Sequence, residues 1–436
     1  MPRWLYSLLL RLLLPAGLAW NAWRGWRTPA LRCAAAARLA WGLAPRTDGP
    51  LWLHAASVGE LRALAALRAQ LAHLACPLLV TVGTPTGLAR AKEMFARDAQ
   101  VTVQAACWDL PGAVRRFLDA ARPCAGVIVE TELWPNLIAI AQARGIPLAL
   151  ASARLSERSL RGYRRWAPGL MRQTVRAFTA IGAQSEPDRA RLLQLGVDEA
   201  QVAVTGNLKF DVPLEPDLAD SGAALRARWA PGRPLWVAGS THAGEETILL
   251  AAQRRLLQEA HARAVAAPLL AFAPRHPGRF AAVARELASG GWQAACTAGN
   301  DGVAVPDAEV VLVNEMGVLH QWYAAADVAF VGGSLVPVGG HNLLEPAALA
   351  KPVLTGPESF NAPEVAAALL ASGGARQVGN VEELVDALDA WLSDPGAAAQ
   401  AGTRAAEAVA AHRGAATRTV ALLTARLLPS APSASG

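Results

Sequence analysis

Short apolar runs that alternate with helical stretches predict an α/β protein: two doubly wound halves facing a cleft, preceded by a membrane-anchoring helix. Three observations carry this. Strand-like runs recur through residues 51–207, a second series fills 234–380, and FDVPLEPDLADSGAA at 210–224, rich in proline and aspartate, separates the two. With 436 residues, 53% hydrophobic and 17% charged, the chain is long enough for two domains and too apolar to be disordered. The expected organisation is an anchor segment at 1–45, a first domain at 46–210, a linker at 211–230, a second domain at 231–427 that ends in an alanine-rich helix, and a flexible tail at 428–436.

The net charge of +6 is local. Residues 1–50 hold Arg3, Arg11, Arg24, Arg27, Arg32, Arg38 and Arg46 against Asp48 alone, so 7 − 1 accounts for the whole excess. An evenly balanced remainder argues against a nucleic-acid binder. Within that basic stretch, the apolar run from Trp4 to Trp20 is broken by Arg11 and Pro15 and followed by Trp23 and Trp26. Tryptophan and arginine beside an apolar run suit a membrane interface, and the length admits a spanning helix or one lying in the plane. A signal peptide fits less well, because no small-x-small cleavage site precedes the basic run. Five scattered cysteines without a C-x-x-C pair suit a reducing compartment, and the arginines after the apolar run suit the cytoplasmic side of a membrane.

In the first half, LWLH, PLLVTVG, AGVIVETE, IPLALAS, FTAIGAQS and QVAVTGN read as strands. In the second, PLWVAGS, PLLAFAPRH, EVVLVNE, DVAFVGGS, KPVLTGP and ARQVGN do. Ligands of such sheets bind beyond the carboxyl ends of the strands. There is no G-x-x-x-x-G-K-[ST], no G-x-G-x-x-G, no H-E-x-x-H and no D-x-D, so P-loop, dinucleotide and metal-dependent readings lose their usual signatures. Two stretches remain informative. In HAASVGE, Ser57 and Glu60 have the spacing of a helix-capping box, while Gly59 in the first turn suggests close approach by another molecule. In GGSLVPVGGHNLLEP, two glycine pairs precede a helix start, where backbone N–H groups can meet a phosphate and Glu345 can meet ribose hydroxyls; Asn342 with Glu345 also fits a capping box. Arg275, just past the PLLAFAP run, could neutralise a leaving phosphate. The seven arginines of residues 152–176 read first as a solvated helix pair and second as a basic surface for anionic headgroups.

HAASVGE, ETELWPN, GNLKFD, PRHPGRF and GGSLVPVGGHNLLEP, in this order, resemble the signature stretches of bacterial Kdo transferases, which add 3-deoxy-D-manno-octulosonic acid (Kdo) to lipid A precursor. The resemblance spans essentially the whole chain and implies a GT-B fold of two Rossmann-like domains, CMP-Kdo as donor, lipid A precursor as acceptor and inversion at the anomeric carbon. It further implies Glu60 as the base, Glu130 and Lys209 as groups that stabilise the transition state, and CMP contacts at Pro274, Arg275, Met316, Gly317, Val318, Asn342, Leu343, Leu344 and Glu345. No cofactor and no metal are implied beyond the donor itself. One departure stands out: EMGVLHQ carries Val318 where the family usually has glutamate. Another GT-B nucleotide-sugar enzyme, a transferase or an epimerase, would share the glycine loop and Glu345 but need not keep HAASVGE and ETELWPN.

Overall fold

A computed structural model describes residues 1–27, 35–72, 76–211, 217–298 and 307–427. The chain divides into two compact units, residues 1–211 with 412–436 and residues 212–411. In the first, β1 (Leu51–Ala55), β2 (Leu78–Val82), β3 (Val101–Ala105), β4 (Ala125–Val129), β5 (Leu148–Ala153), β6 (Ala180–Ala183) and β7 (Val202–Val204) form one sheet in the order β3-β2-β1-β4-β5-β6-β7. All pairings are parallel, and Leu51 of β1 registers with Leu78 on one side and Ala125 on the other. Strand order reverses between β1 and β4; Glu60 lies in the first turn of the helix after β1, and Glu130 follows β4 directly.

The second unit repeats the design with β8 (Leu235–Thr241), β9 (Leu269–Pro274), β10 (Ala294–Cys296), β11 (Val310–Leu312), β12 (Val328–Val331), β13 (Val353–Thr355) and β14 (Ala375–Gln377). Their order is β10-β11-β9-β8-β12-β13-β14. Every residue of β1, β2, β4, β5, β9 and β12 is buried, as strands covered by helices on both faces require. The twelve sequence-read strands are all present. β3 and β10 were not among them; both are edge strands with half-exposed residues, so neither carries the continuous apolar run of a central strand.

The structure corrects three boundaries. The expected linker at 211–230 contains a helix, Leu218–Trp229, that packs on the helix Leu319–Ala325 inside the second unit; residues 212–216 lie outside the described residues. The C-terminal helix Ala415–Arg426, assigned from sequence to the second domain, belongs to the first unit. Asp211 caps its start by accepting hydrogen bonds from the N–H groups of Gly414 and Ala416, and Arg418 Nε donates to the Thr205 carbonyl at 2.9 Å. The chain therefore ends on the unit where it began. Finally, residues 35–45 are fold rather than anchor: Arg38 is buried and donates to the carbonyls of Ala106 (2.9 Å) and Gly83 (2.6 Å), and Leu39 and Ala40 are core residues. A chain starting at residue 46 would lose these contacts. The expected tail at 428–436 lies outside the described residues.

The helix Arg3–Arg27 is long and apolar enough to cross a membrane. One of its stripes is docked on the first unit. Tyr6 donates to Asp109 at 3.0 Å, Ser7 donates to Asn136 at 2.8 Å, and Leu10 and Leu14 join the cluster of Leu39, Leu110 and Ala113. Away from that stripe Trp4, Leu8, Leu12, Trp23 and Trp26 are exposed.

Candidate active site

In the first unit the helix Val58–Gln70 starts from Ser57, whose side chain accepts from the Glu60 N–H at 3.4 Å. The capping box is displaced by one residue: Glu60 Oε2 accepts from the N–H of Ala56 (2.6 Å), and Oε1 accepts from the Ser57 hydroxyl (3.0 Å). Glu60 is therefore a cap, as its spacing suggested. It is also an unusual carboxyl. Burial pushes its pKa up to about 7; the Ala56 N–H opposes the rise, and the neighbouring charges of Glu130 and Glu132 add to it. A group with that pKa can accept and release a proton near neutrality. A side chain at Gly59 would meet only Ser57 Oγ, at 3.8 Å, so nothing inside the unit demands glycine there.

Glu130 and Lys209, 79 positions apart in sequence, are brought together at 2.5 Å. Glu130 occupies the left-handed region (φ 62°) immediately after β4, a conformation that costs a non-glycine residue on the order of 1 kcal/mol. Lys209 sits in a short 3₁₀ turn, Leu208–Phe210, held by Asn207, which accepts from the Lys209 N–H at 3.0 Å, and by the buried Ser152, which accepts from Leu208 N–H at 3.3 Å. Ser152 is itself left-handed (φ 53°). Glu132 accepts from Trp134 Nε1 at 2.6 Å; burial works to raise its pKa, but His54 and Trp134 outweigh this and hold it below the usual carboxylate range.

In the second unit the sequence-read residues divide. Pro274 ends β9 and is buried, Arg275 follows half-buried, and its N–H donates to the Thr241 carbonyl at 3.0 Å. Met316 and Gly317 are exposed, and Gly317 is left-handed (φ 89°). Val318 is the N-cap of Leu319–Ala325 and supplies no side-chain cap bond, so this turn offers backbone alone. Asn342 accepts from Leu344 N–H at 3.2 Å and donates to Glu345 Oε1 at 3.1 Å, while Leu343 is the N-cap of the short helix Leu344–Ala348. His320 Nε2 lies 3.3 Å from Glu345 Oε2, which joins the Met316–Val318 turn to the Asn342–Glu345 turn.

The glycine loop needs a correction. Its first pair does not present N–H groups to a ligand: Gly332 N–H donates to the Gly239 carbonyl at 2.9 Å, and the fully buried Glu245 takes the next three, with Oε2 accepting from Gly333 (2.7 Å) and from His242 (2.9 Å), and Oε1 from Ser334 (3.0 Å) and Leu335 (2.9 Å). The second pair is left-handed (φ 101° at Gly339, 74° at Gly340) and folds the loop back, with Gly340 N–H on the Gly333 carbonyl at 2.7 Å. An anion is left the turn at Asn342 and Leu343 rather than the whole loop. Sequence reading also missed His242, whose ring stacks on His341 (Nε2 to Nε2 2.8 Å) and meets the edge of His276, so that the Arg275 segment and the glycine loop adjoin. GSTHAGEE held a signal for this, since an acid pair opening a helix just after a strand is where a buried anchor can form. Among the described residues, no group of three His, Cys, Asp or Glu side chains is placed to hold a metal ion.

The fold, with its two doubly wound sheets, is of the GT-B type. A glycosyltransferase from Rickettsia africae superposes with a TM-score of 0.56 at 14% identity, covering 88% of this chain and all of its own, and the UDP-GlcNAc 2-epimerase of Neisseria meningitidis does so at 0.54 and 16%, covering 86% and 100%. A family model described as 3-deoxy-D-manno-octulosonic-acid transferase matches residues 33–212. The 3-deoxy-D-manno-octulosonic acid transferase of Bordetella pertussis is 38% identical over 96% of this chain and 98% of its own length, and that of Haemophilus influenzae 36% identical over 86% of each. The chain belongs to the 3-deoxy-D-manno-octulosonic acid transferase family.

Proposed function

We propose that this enzyme transfers Kdo from CMP-Kdo to lipid A precursor with inversion and without a metal, and that Glu60 is the base. The observation that carries the mechanism is the Glu60 carboxyl itself, buried yet hydrogen-bonded, with its pKa raised to about 7 beside the Glu130–Lys209 pair. As the acceptor hydroxyl attacks the anomeric carbon, its proton passes to Glu60 and the bond from that carbon to the phosphate oxygen breaks, so CMP leaves with the electron pair. Lys209, oriented by Glu130, offers positive charge to the oxygens that become more negative in the transition state. Arg275 and the turn at Asn342 and Leu343 take the single phosphate of CMP, and Glu345 the ribose. Val318 contributes through its backbone.

We assign the enzyme to the cytoplasmic face of the inner membrane, held by the helix Arg3–Arg27 lying in the membrane plane. The docked Tyr6, Ser7, Leu10 and Leu14 keep that helix along the first unit, and its exposed tryptophans and leucines suit the interface. The test is to mix enzyme, CMP-Kdo and lipid A precursor and to follow CMP release and the mass of the lipid product. The expected outcome is acceptor-dependent CMP release with a product heavier by Kdo; an enzyme that isomerises a nucleotide sugar, or one that only binds, gives neither.

A further inference from the structure

The first unit holds a cavity of about 290 Å³ whose wall includes Trp52, His54, Trp108, Phe117, Trp134 and Leu137. Ala56, whose N–H holds Glu60, and Glu132, whose charge acts on Glu60, also line it, so the cavity adjoins the candidate base. Its polar lining is almost fully engaged. Arg38 donates to two carbonyls, and Asp109 accepts from the N–H groups of Asn136 (3.0 Å) and Leu137 (2.7 Å) and from Tyr6. Thr81 accepts from Trp52 Nε1 at 2.8 Å, and we assign its own hydrogen to His54 Nδ1, also at 2.8 Å, which is the neutral tautomer in which Thr81 both accepts and donates. His54 then carries its proton on Nε2, and that atom is buried without a hydrogen-bond partner in a residue only 4% exposed. Glu132 Oε2 stands 3.9 Å away, too far for a hydrogen bond but close enough for the two groups to interact electrostatically, as the lowered Glu132 pKa reflects.

Apart from Arg38, Thr81, Thr84 and Asp109, which are engaged within the protein, and the Glu132 carboxylate, the wall is aromatic and aliphatic, and with one N–H lacking a hydrogen bond it fits a ligand that is apolar apart from one accepting oxygen. A sugar ring, with several hydroxyls to satisfy, would be left with most of them unmet. The wall is also shared with the interfacial helix: Trp108 packs beside Leu10 and Leu14 and lies against Gly17, where even a methyl group would stand 3.7 Å from its ring. We infer that this cavity is a subsite for a neutral acyl chain reaching in from the bilayer, with His54 Nε2 donating to the ester or amide oxygen at its head. This rests on the reading that the acceptor is a lipid and identifies the part of it that the first unit grips.

Octanamide, a neutral chain with one such oxygen, serves as a probe that needs no transfer reaction. Full-length enzyme should bind it saturably at one site, Cys107→Phe, which places a ring in the cavity, should weaken it at least about tenfold, and His54→Phe should weaken it about fivefold, the usual weight of one buried hydrogen bond. With acylated acceptor, Cys107→Phe should raise KM about tenfold and hold kcat within about twofold, while with the deacylated disaccharide both constants stay at wild-type values. Activity on the deacylated acceptor also reports that the variant is folded. Absence of saturable octanamide binding, or equal affinity in wild type and Cys107→Phe, overturns the subsite, as does an equal loss on both acceptors. If wild-type enzyme transfers to neither acceptor yet octanamide binds as stated, the transferase reading fails and the cavity assignment stands.

Discussion

Glu60 and Glu245 occupy equivalent places: each lies in the first turn of the helix that follows the first strand of its sheet, and each is buried. Their surroundings differ in kind. Glu245 is 0% exposed and accepts from four backbone N–H groups, all donated by its own unit, so its carboxyl is taken up in holding the glycine loop. Glu60 has one backbone donor and one hydroxyl, with the charges of Glu130 and Glu132 nearby, and its pKa is raised to about 7. The same residue type at the same step of the same topology is a fixed anchor in one unit and, in the other, a carboxyl with an elevated pKa that we propose as the base. What separates them is the number of backbone N–H donors, four on Glu245 against one on Glu60.

The comparison can be broken from the anchoring side first. Glu245→Ala leaves four buried N–H groups without an acceptor and should destabilise the second unit by about 3–5 kcal/mol, read as a lower denaturant midpoint together with loss of CMP binding. A variant that keeps wild-type stability and binds CMP normally would mean the loop holds its shape unaided. A smaller effect sharpens the Glu60 side. Because the active form of the base is ionised, transfer should fall about tenfold per pH unit below 7 and level off above it, since the pKa is raised to about 7. A profile flat down to pH 5 would detach that carboxyl from the rate. For Val318→Glu we expect CMP affinity to change by less than about tenfold, because the turn offers backbone whichever side chain it carries; titration of CMP against both forms checks it, and a much larger gain would make the side chain a main ligand. The smallest expected effect is that of excess EDTA, which should leave the transfer rate unchanged; activity that returns only with added magnesium would contradict the metal-free reading.

Most of the architecture was legible in the sequence because parallel strands covered on both faces must be apolar along their length, and ten of the twelve runs read as strands are of this kind, the other two being the edge strands β7 and β14. The edge strands β3 and β10 escaped for the opposite reason. The site was legible one residue at a time, but its convergence was not. Nothing local tells that Lys209 reaches Glu130, that Glu130 and Ser152 adopt left-handed backbone, or that His320 meets Glu345. The glycine pairs of GGSLVPVGGHN read as a phosphate loop because glycine permits close approach, yet the approaching group at the first pair is the protein's own Glu245, 87 positions before Gly332. Glycine spacing reports that something comes near and is silent on whether it is ligand or side chain.

Glu60 is the residue on which the proposed chemistry depends most, and Glu60→Gln tests its role directly. Glutamine keeps an oxygen for the Ala56 N–H but cannot take a proton. Since the native pKa is raised from 4.5 to about 7, the stability this carboxyl contributes is full below pH 4.5 and lost as pH rises through 7, so at pH 8 the glutamine variant should be at least as stable as the wild type. We predict that single-turnover transfer from CMP-Kdo to lipid A precursor at pH 8 falls by about a hundredfold or more in Glu60→Gln, with CMP binding unchanged. Near-normal transfer by this variant would contradict the account and leave Glu60 as a helix cap alone.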